Sequence, residues 1–286
     1  MTLLDGKKLN EKVAGELAAK IKKLDPKPKL VIIQVGDLAQ SNAYIGRKIK
    51  FGEKIGAIVE HKRFPEKITQ EELIGHIKIY DQNSSVHGII IQMPLPKHID
   101  KDEIIDSIDP AKDVDGLTSR NLKLLWEAKG EGFVPATTKG IISLLDEYKI
   151  PIEGQNVVIV GRSFLVGKPT FLAFLNRNAT VTVCHRHTKN LAQITKSADI
   201  LVVAAGKPNL IGKEHVSKNQ MVVDVGINVQ NEIRSRHIHH KLVGDVNFAE
   251  VSKIVKAISP VPGGTGPMTV ASLFENLLEA YKRQIS

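Results

Sequence analysis

With 286 residues the chain suits two domains of ordinary size and is too short for three. Apolar residues at 42% and charged residues at 25% match soluble globular proteins, which excludes disordered and collagen-like classes, and no run approaches the ~20 apolar residues that cross a bilayer. Forty Lys and Arg against thirty-one Asp and Glu give +9, a surplus that favours anionic partners, but aromatics at 5% and the lack of a basic stretch interleaved with rings argue against a surface for single-stranded nucleic acid.

The opening, Met1 to Lys12, lacks the ~7–15-residue apolar segment of a secretory signal, so a cytoplasmic protein is expected. A first helix is predicted from Asp5 to Leu24, with Lys20 to Lys29 as its solvated end running into Pro26 and Pro28. A strand at Lys29–Val35 follows, then a helix over Ser41–Ile55, a helix over Thr69–Asn83 and a strand at Val86–Gln92. Asp5, Ser41 and Thr69 are expected to cap the three helices. Ile108 to Gly116 collects Asp, Pro and Gly and reads as a loop. A helix at Thr137–Lys149 leads into a second strand series: Asn156–Val160, Thr180–Cys184, Asp199–Ala204, Met221–Val225 and Lys241–Val246. Near-continuous apolar strands separated by amphipathic helices predict an α/β fold with parallel sheets covered by helices, restarted as a second unit from about 140 to 260. The last 20 residues form one helix with Pro267 in its first turn, folding back onto the first domain. Cys184, the single cysteine, excludes an intramolecular disulfide and a multi-cysteine zinc site and suits a reducing compartment.

The strand NVVIV runs into Gly161-Arg162-Ser163-Phe164-Leu165-Val166-Gly167-Lys168-Pro169 and a helix. Glycine permits close backbone approach and a helix N-terminus offers amides to phosphate, so this context favours a dinucleotide, although the spacing departs from G-x-G-x-x-G and an ordinary strand-to-helix turn is the other reading. About 20 residues on, where NAD-specific folds place an acid, stands Cys184-His185-Arg186-His187-Thr188. With no carboxylate there, Arg162 and Arg186 are placed to flank a 2′-phosphate, and NADP is preferred over NAD; a solvent-facing Arg186 is the alternative.

Tyr44 and Lys48, four apart on a helix, share one face and can grip one ligand, or simply border the Ile45, Ile49 and Ile55 stripe. Gln92 ends an apolar strand at the edge where α/β folds bind ligands; its other reading is a hydrogen bond to the Pro94-Leu95-Pro96 turn. Asp113 and Asp115 make a poor metal pair, and one of them is expected to recognise a ligand unless both merely cap the turn. No metal is expected.

Together, VGDLAQSNAYIGRKIK at 35–50, GIIIQMPLP at 88–96, PAKDVDG at 110–116, VVIVGRSFLVGKP at 157–169, ATVTVCHRHT at 179–188, VVDVGIN at 222–228, LVGDV at 242–246 and SPVPGGTGPMT at 259–269 run through the whole chain in one order. In this the chain resembles the bifunctional methylenetetrahydrofolate dehydrogenase/methenyltetrahydrofolate cyclohydrolase family. The resemblance implies a folate-binding catalytic domain at 1–138 plus 267–286, a Rossmann-like NADP-binding domain at 139–266, a cleft between them and a homodimer, with no nucleic-acid or membrane partner. It implies that Lys48 is the catalytic lysine, Tyr44 the pterin-stacking ring, Gln92 the support of the lysine and Asp115 the pterin anchor, all four counted as catalytic residues. Pro262 and Gly263 fall on the loop that closes over folate, and Gly161, Arg162, Ser163 and Ile227 on nucleotide positions. The implied activity is NADP-dependent oxidation of methylene-tetrahydrofolate, then hydrolysis of the methenyl product to formyl-tetrahydrofolate, in one-carbon metabolism. The alternatives are a dehydrogenase without the hydrolytic step and a noncatalytic nucleotide- or nucleic-acid-binding module.

The chain departs from the family pattern at Ala136 and Thr138, where Cys and Pro are usual, at Arg186 for Ser, at Thr265 for Val and at Asn247 for Asp. None of these removes a catalytic group.

Overall fold

The structure, a computed structural model, describes residues 1–234 and 237–285. In chain order it contains β1 (Thr2–Leu3), α1 (Gly6–Ile21), β2 (Lys29–Val35), α2 (Ala39–Ile55), β3 (Ile58–Phe64), α3 (Gln70–Gln82), β4 (Gly88–Ile91), α4 (Lys101–Asp106), α5 (Ser119–Trp126) and α6 (Ala136–Glu147). There follow β5 (Asn156–Val160), α7 (Gly167–Leu175), β6 (Thr180–Cys184), α8 (Leu191–Lys196), β7 (Ile200–Val203), β8 (Met221–Asp224), β9 (Asn228–Arg234), β10 (His237–Val243), α9 (Phe248–Val251), β11 (Ala257–Ile258) and α10 (Thr265–Ile285). The chain divides into two compact units, one of residues 11–136 with 270–286, the other of residues 1–10 with 137–269.

The first unit is built on a parallel three-stranded sheet in the order β3-β2-β4. β2 is central, and Leu30 through Ile33 are fully buried, an unbroken apolar run between Lys29 and Gln34. β4 reads Gly-Ile-Ile-Ile; a Cβ on Gly88 would lie 2.7 Å from the Val114 side chain and 2.8 Å from Leu277, so glycine lets the 114 loop and α10 close onto the sheet. α10 adds Phe274 against Phe51 at 5.3 Å between rings and Tyr281 against His87 at 4.7 Å. Its Asn276 donates to the carbonyls of Val114 and Val134, both at 3.0 Å. A buried ring of this kind is worth about 1.5–3 kcal/mol.

The edge strand β3 is absent from the predicted set. Its charged sequence, with Glu60 paired to Lys29 at 2.7 Å and to Lys62, discourages further pairing and hides the apolar signal by which a strand is recognised. Thr69 caps α3 as expected, accepting from Glu72 N at 3.2 Å while Glu72 accepts from Thr69 N at 2.9 Å. Asp5 likewise accepts from Lys8 N at 3.0 Å. Ser41, expected to cap α2, does not: α2 starts two residues earlier after Leu38, and Ser41 is buried inside it. An Asn42-to-Asp37 bond of 2.7 Å ties the preceding loop to the helix in place of a cap. Within the Lys20–Lys29 run, Lys27 is not simply solvated but donates to the carbonyls of Ile21, Lys22 and Leu24, closing the end of α1.

The second unit is a Rossmann-like parallel sheet of six strands, ordered β1-β11-β8-β7-β5-β6. Val158, Val160, Leu201, Val203, Val222 and Ile258 fill one cluster with Val246 and Val251. Residues 1–10 join this unit because β1 pairs with β11. The expected strand Lys241–Val246 is corrected. Only Lys241–Val243 is strand, as part of β10, which pairs antiparallel with β9 from His237↔Arg234 to Val243↔Asn228. Gly244 ends it, since a Cβ there would meet the Asp224 carboxylate at 1.8 Å.

Candidate active site

In the first unit the register sets the geometry. Ile33 pairs with Ile91, and the next rung, Gln92 N to Ile33 O at 2.8 Å, carries Gln92 to the carboxyl end of the sheet. α2 runs past that end with Ser41, Tyr44 and Lys48 on one face, spaced i, i+3 and i+7. Lys48 Nζ donates to Gln92 Oε1 at 3.1 Å, and Gln92 Nε2 donates to the Met93 carbonyl at 2.9 Å. The same carbonyl accepts from Ser41 Oγ at 3.4 Å. The amide therefore has a defined orientation: one of its N–H groups donates to a carbonyl and its oxygen faces the amine.

Desolvation pushes the Lys48 amine below the ordinary lysine range, while the Asp115 charge pulls it back up. Burial raises Asp115 in turn, and Lys48 opposes that rise. Tyr44 is half-buried, with its hydroxyl held above the usual range by burial. The Arg47 guanidinium lies 5.5 Å from the centre of its ring.

Asp113 and Asp115 separate cleanly. Asp113 is fully buried and accepts from Gly116 N at 2.9 Å, Thr118 N at 2.7 Å and Asn121 Nδ2 at 2.9 Å, so it clamps the turn that carries Asp115. The residue types alone leave these roles open, because both stand in the same KDVDG string; only the family resemblance singles out Asp115. Sequence reasoning also missed Ser41 as an anchor, although the seven-residue spacing to Lys48 held the signal.

In the second unit, Gly161 ends β5 with φ at +135°, and a Cβ there would sit 2.2 Å from the Ala204 carbonyl oxygen. A Cβ on Gly167 would lie 2.4 Å from the Gly161 carbonyl oxygen, so two glycines allow a turn that packs helix against strand. Ser163 Oγ accepts from Val166 N and Gly167 N, at 3.2 and 3.3 Å, which tightens the entry to α7. Gly161 N donates to Cys184 O at 2.9 Å, so the turn bearing Arg186 lies beside the turn bearing Arg162. Both arginines are exposed. Bare glycine backbone, a helix N-terminus and two exposed guanidinium groups fit a dinucleotide carrying an extra phosphate.

Ile227 lies in the turn between β8 and β9, held by two buried carboxylates. Asp224 accepts from Gly226 N at 2.9 Å, Asp245 N at 3.0 Å and Val246 N at 2.9 Å, while Asp245 accepts from Asn228 Nδ2 at 2.8 Å. Burial drives the Asp224 carboxyl up to about 7 against those three donors. Pro262 and Gly263 form the turn before α10, where Gly263 O accepts from Lys7 N at 2.9 Å. The departures from the family pattern are locally satisfied: Thr138 Oγ1 meets Thr170 Oγ1 at 3.1 Å, Thr265 Oγ1 donates to Asp224 O at 3.0 Å, and Asn247 caps α9. Among the described residues no group of three or more His, Cys, Asp or Glu is arranged to hold a metal.

Residues 4–115 match the family described as tetrahydrofolate dehydrogenase/cyclohydrolase, catalytic domain, and residues 135–285 match its NAD(P)-binding domain. The bifunctional protein FolD of a Hydrogenobaculum species is 43% identical over 100% of both chains, and that of Nautilia profundicola 44% identical over 99% of this chain and 98% of its own. Among solved structures, the FolD methylenetetrahydrofolate dehydrogenase/cyclohydrolase from Campylobacter jejuni superposes with a TM-score of 0.94 at 44% identity, covering 99% of each chain. The Trypanosoma brucei methylenetetrahydrofolate dehydrogenase-cyclohydrolase, complexed with NADP cofactor and an inhibitor, reaches 0.95 at 33% identity over 100% of this chain and 98% of its own. Two α/β units, the Lys48–Gln92 pair and the glycine turn after β5 thus agree with full-length likeness, and the chain belongs to the tetrahydrofolate dehydrogenase/cyclohydrolase family.

Proposed function

We propose that this protein oxidises methylene-tetrahydrofolate to methenyl-tetrahydrofolate with NADP and hydrolyses the product to formyl-tetrahydrofolate. The observation that carries the reading is the chain from Ser41 and the Met93 carbonyl through Gln92 to the Lys48 amine, with Asp115 acting on that amine electrostatically. When bound, NADP supplies the hydride acceptor for the first step. Gly161, Arg162, Ser163, Arg186 and Ile227 would hold the nucleotide.

The hydrolytic step needs a base for water and an acid for the ring nitrogen. A neutral amine has two N–H bonds and one lone pair. Gln92 takes one N–H, which leaves the lone pair two directions, and the lowered pKa of Lys48 favours the neutral form more than in an ordinary lysine. The same amine, once protonated, is an acid. Tyr44 offers a flat face for the pterin, worth about 0.5–1.5 kcal/mol beyond burial, and Asp115 offers two acceptor oxygens to a pair of pterin N–H groups. Pro262 and Gly263 are assigned to the loop that covers folate.

We assign folate handling to residues 1–138 with 267–286 and nucleotide binding to 139–266. These bounds differ from the compact units chiefly in the first ten residues, which pack with the nucleotide sheet. The protein is proposed to be cytoplasmic and a homodimer, without nucleic-acid or membrane partners. The β9–β10 hairpin supports the dimer, since its described backbone pairs only within itself and leaves outer edges for a second copy. No described helix is long and apolar enough to cross a membrane. A coupled spectroscopic assay tests the reading: NADPH should form from methylene-tetrahydrofolate and the methenyl absorbance should then decay. NADPH formation with a persistent methenyl signal would leave a dehydrogenase alone.

A further inference from the structure

We propose that His187 is a positioning residue that aims Arg186 at the 2′-phosphate of NADP and thereby sets the preference for NADP over NAD; this rests on the reading that Arg186 meets that phosphate. The turn after β6 is unusually well tied for a surface loop. Thr188 N donates to His185 O at 2.8 Å, His185 N to Thr188 Oγ1 at 2.9 Å, and His187 N to His185 Nδ1 at 3.2 Å. Arg186 and His187 are the two central residues of that turn, which Gly161 N joins to the nucleotide loop through Cys184 O at 2.9 Å.

Arg186 Nε donates to His187 Nε2 at 3.0 Å. A guanidinium has five N–H groups; with the Nε–H given to His187, the four on the two terminal nitrogens of this exposed side chain remain as paired donors for two oxygens of one phosphate. Accepting at Nε2 places the His187 ring proton on Nδ1. The neighbouring His185 ring stands edge-on to it, 5.9 Å between centres. An exposed arginine otherwise loses much side-chain freedom when it grips a ligand, and an anchored Nε removes part of that loss beforehand. From Gly161 to Ala198 the sequence contains no Asp or Glu, so no carboxylate within that segment competes for Arg186 or suits the bare ribose hydroxyl of NAD.

Calorimetric Kd values for NADP and for NAD, in the unmodified protein and in Arg186→Ala, His187→Phe and His187→Gln, test this without relying on turnover. Arg186→Ala should weaken NADP about tenfold or more while sparing NAD. His187→Phe keeps a ring but loses the acceptor, and should weaken NADP about three- to tenfold with NAD binding and methenyl hydrolysis unchanged. His187→Gln places an amide oxygen near the position of Nε2 and should restore NADP binding. If Arg186→Ala shifts the NADP-to-NAD ratio and His187→Phe does not, the positioning role falls and the phosphate reading stands. If Arg186→Ala leaves the ratio unmoved, both fall. Failure of Gln to rescue, or equal weakening of NAD by Phe, would overturn positioning in favour of direct contact or a disordered turn.

Discussion

On the proposed reading, the two units prepare their ligands by opposite means. Around Lys48 the preparation lies in buried side chains: Gln92 and Ser41 are almost wholly covered, and each bond in the Ser41–Met93–Gln92–Lys48 series restricts the next. Around Gly161 the preparation lies in backbone, with side chains removed so that the chain can turn, and charged groups left at the surface. Proton transfer needs an amine whose pKa is moved, and only a desolvated, oriented group meets that need. A phosphate needs donors that reach it and release it, which backbone amides and exposed arginines provide. Loss of a group should therefore abolish chemistry in the first unit and graded affinity in the second.

The largest effect expected is for Lys48→Ala. Methenyl hydrolysis should fall by about 10²–10⁴-fold, the usual worth of a positioned acid–base group, and the dehydrogenase should weaken. Normal decay of methenyl absorbance in that variant would remove Lys48 from the mechanism. The sign of the pH dependence follows from the same residue. Its amine is shifted below the ordinary lysine value of 10.5, and in the proposed mechanism the base is its deprotonated form. Hydrolysis should rise with pH through that lowered midpoint and level off before unperturbed lysines titrate; a rise extending to the ordinary lysine range would contradict the shift.

Gly161→Ala should sharpen the contrast. A methyl group 2.2 Å from a carbonyl oxygen, at φ +135°, forces the turn to move. NADP-dependent oxidation should drop at least about tenfold, the scale of one lost charge-assisted contact, while hydrolysis of supplied methenyl-tetrahydrofolate persists. Loss of both activities in a folded variant would show that the two regions are not separable in this way.

The paired aspartates come next. Asp115→Ala should damage folate affinity with little change in melting temperature, whereas Asp113→Ala should lower stability by about 1–3 kcal/mol, because Gly116 N, Thr118 N and Asn121 Nδ2 lose their buried acceptor. Folate titration and thermal unfolding read the two separately; equal effects on both would undo the division of roles.

Much of this was legible in the sequence, and what escaped has a physical reason. β2, β4, β5, β7 and β8 announce themselves because strands buried on both faces carry unbroken apolar runs, here residues 30–33, 89–91, 157–160, 200–203 and 221–223. β3 does not, since an edge strand is free to carry Glu60, Lys62 and Arg63. Tyr44, Lys48 and Gln92 could be named, but the order Met93 carbonyl, Gln92 amide, Lys48 amine is a matter of which end of an amide faces which partner, and no residue type encodes that. Ser41 shows the converse. Its hydroxyl would suit a helix cap, yet Asp37 and Asn42 close the loop first, and the serine turns inward to the Met93 carbonyl.

The smallest effect probes whether the first unit keeps stability and chemistry apart. Thr69 and Glu72 satisfy each other's backbone donors at the start of α3, and neither contacts Lys48, Gln92 or Asp115 through any described bond. Thr69→Ala removes one acceptor from an exposed helix end, a loss of about 1 kcal/mol that lowers the melting temperature by about 2–4 °C in a unit of this size. The folate KM and both kcat values should not move. Because α3 packs its Leu73 and Ile77 into the same apolar cluster as Val31, Ile33 and Ile91, a change in kcat would mean that the sheet under Gln92 transmits small displacements to the amine. The rigidity ascribed to the Ser41–Met93–Gln92 series would then have to be shared with the core beneath it.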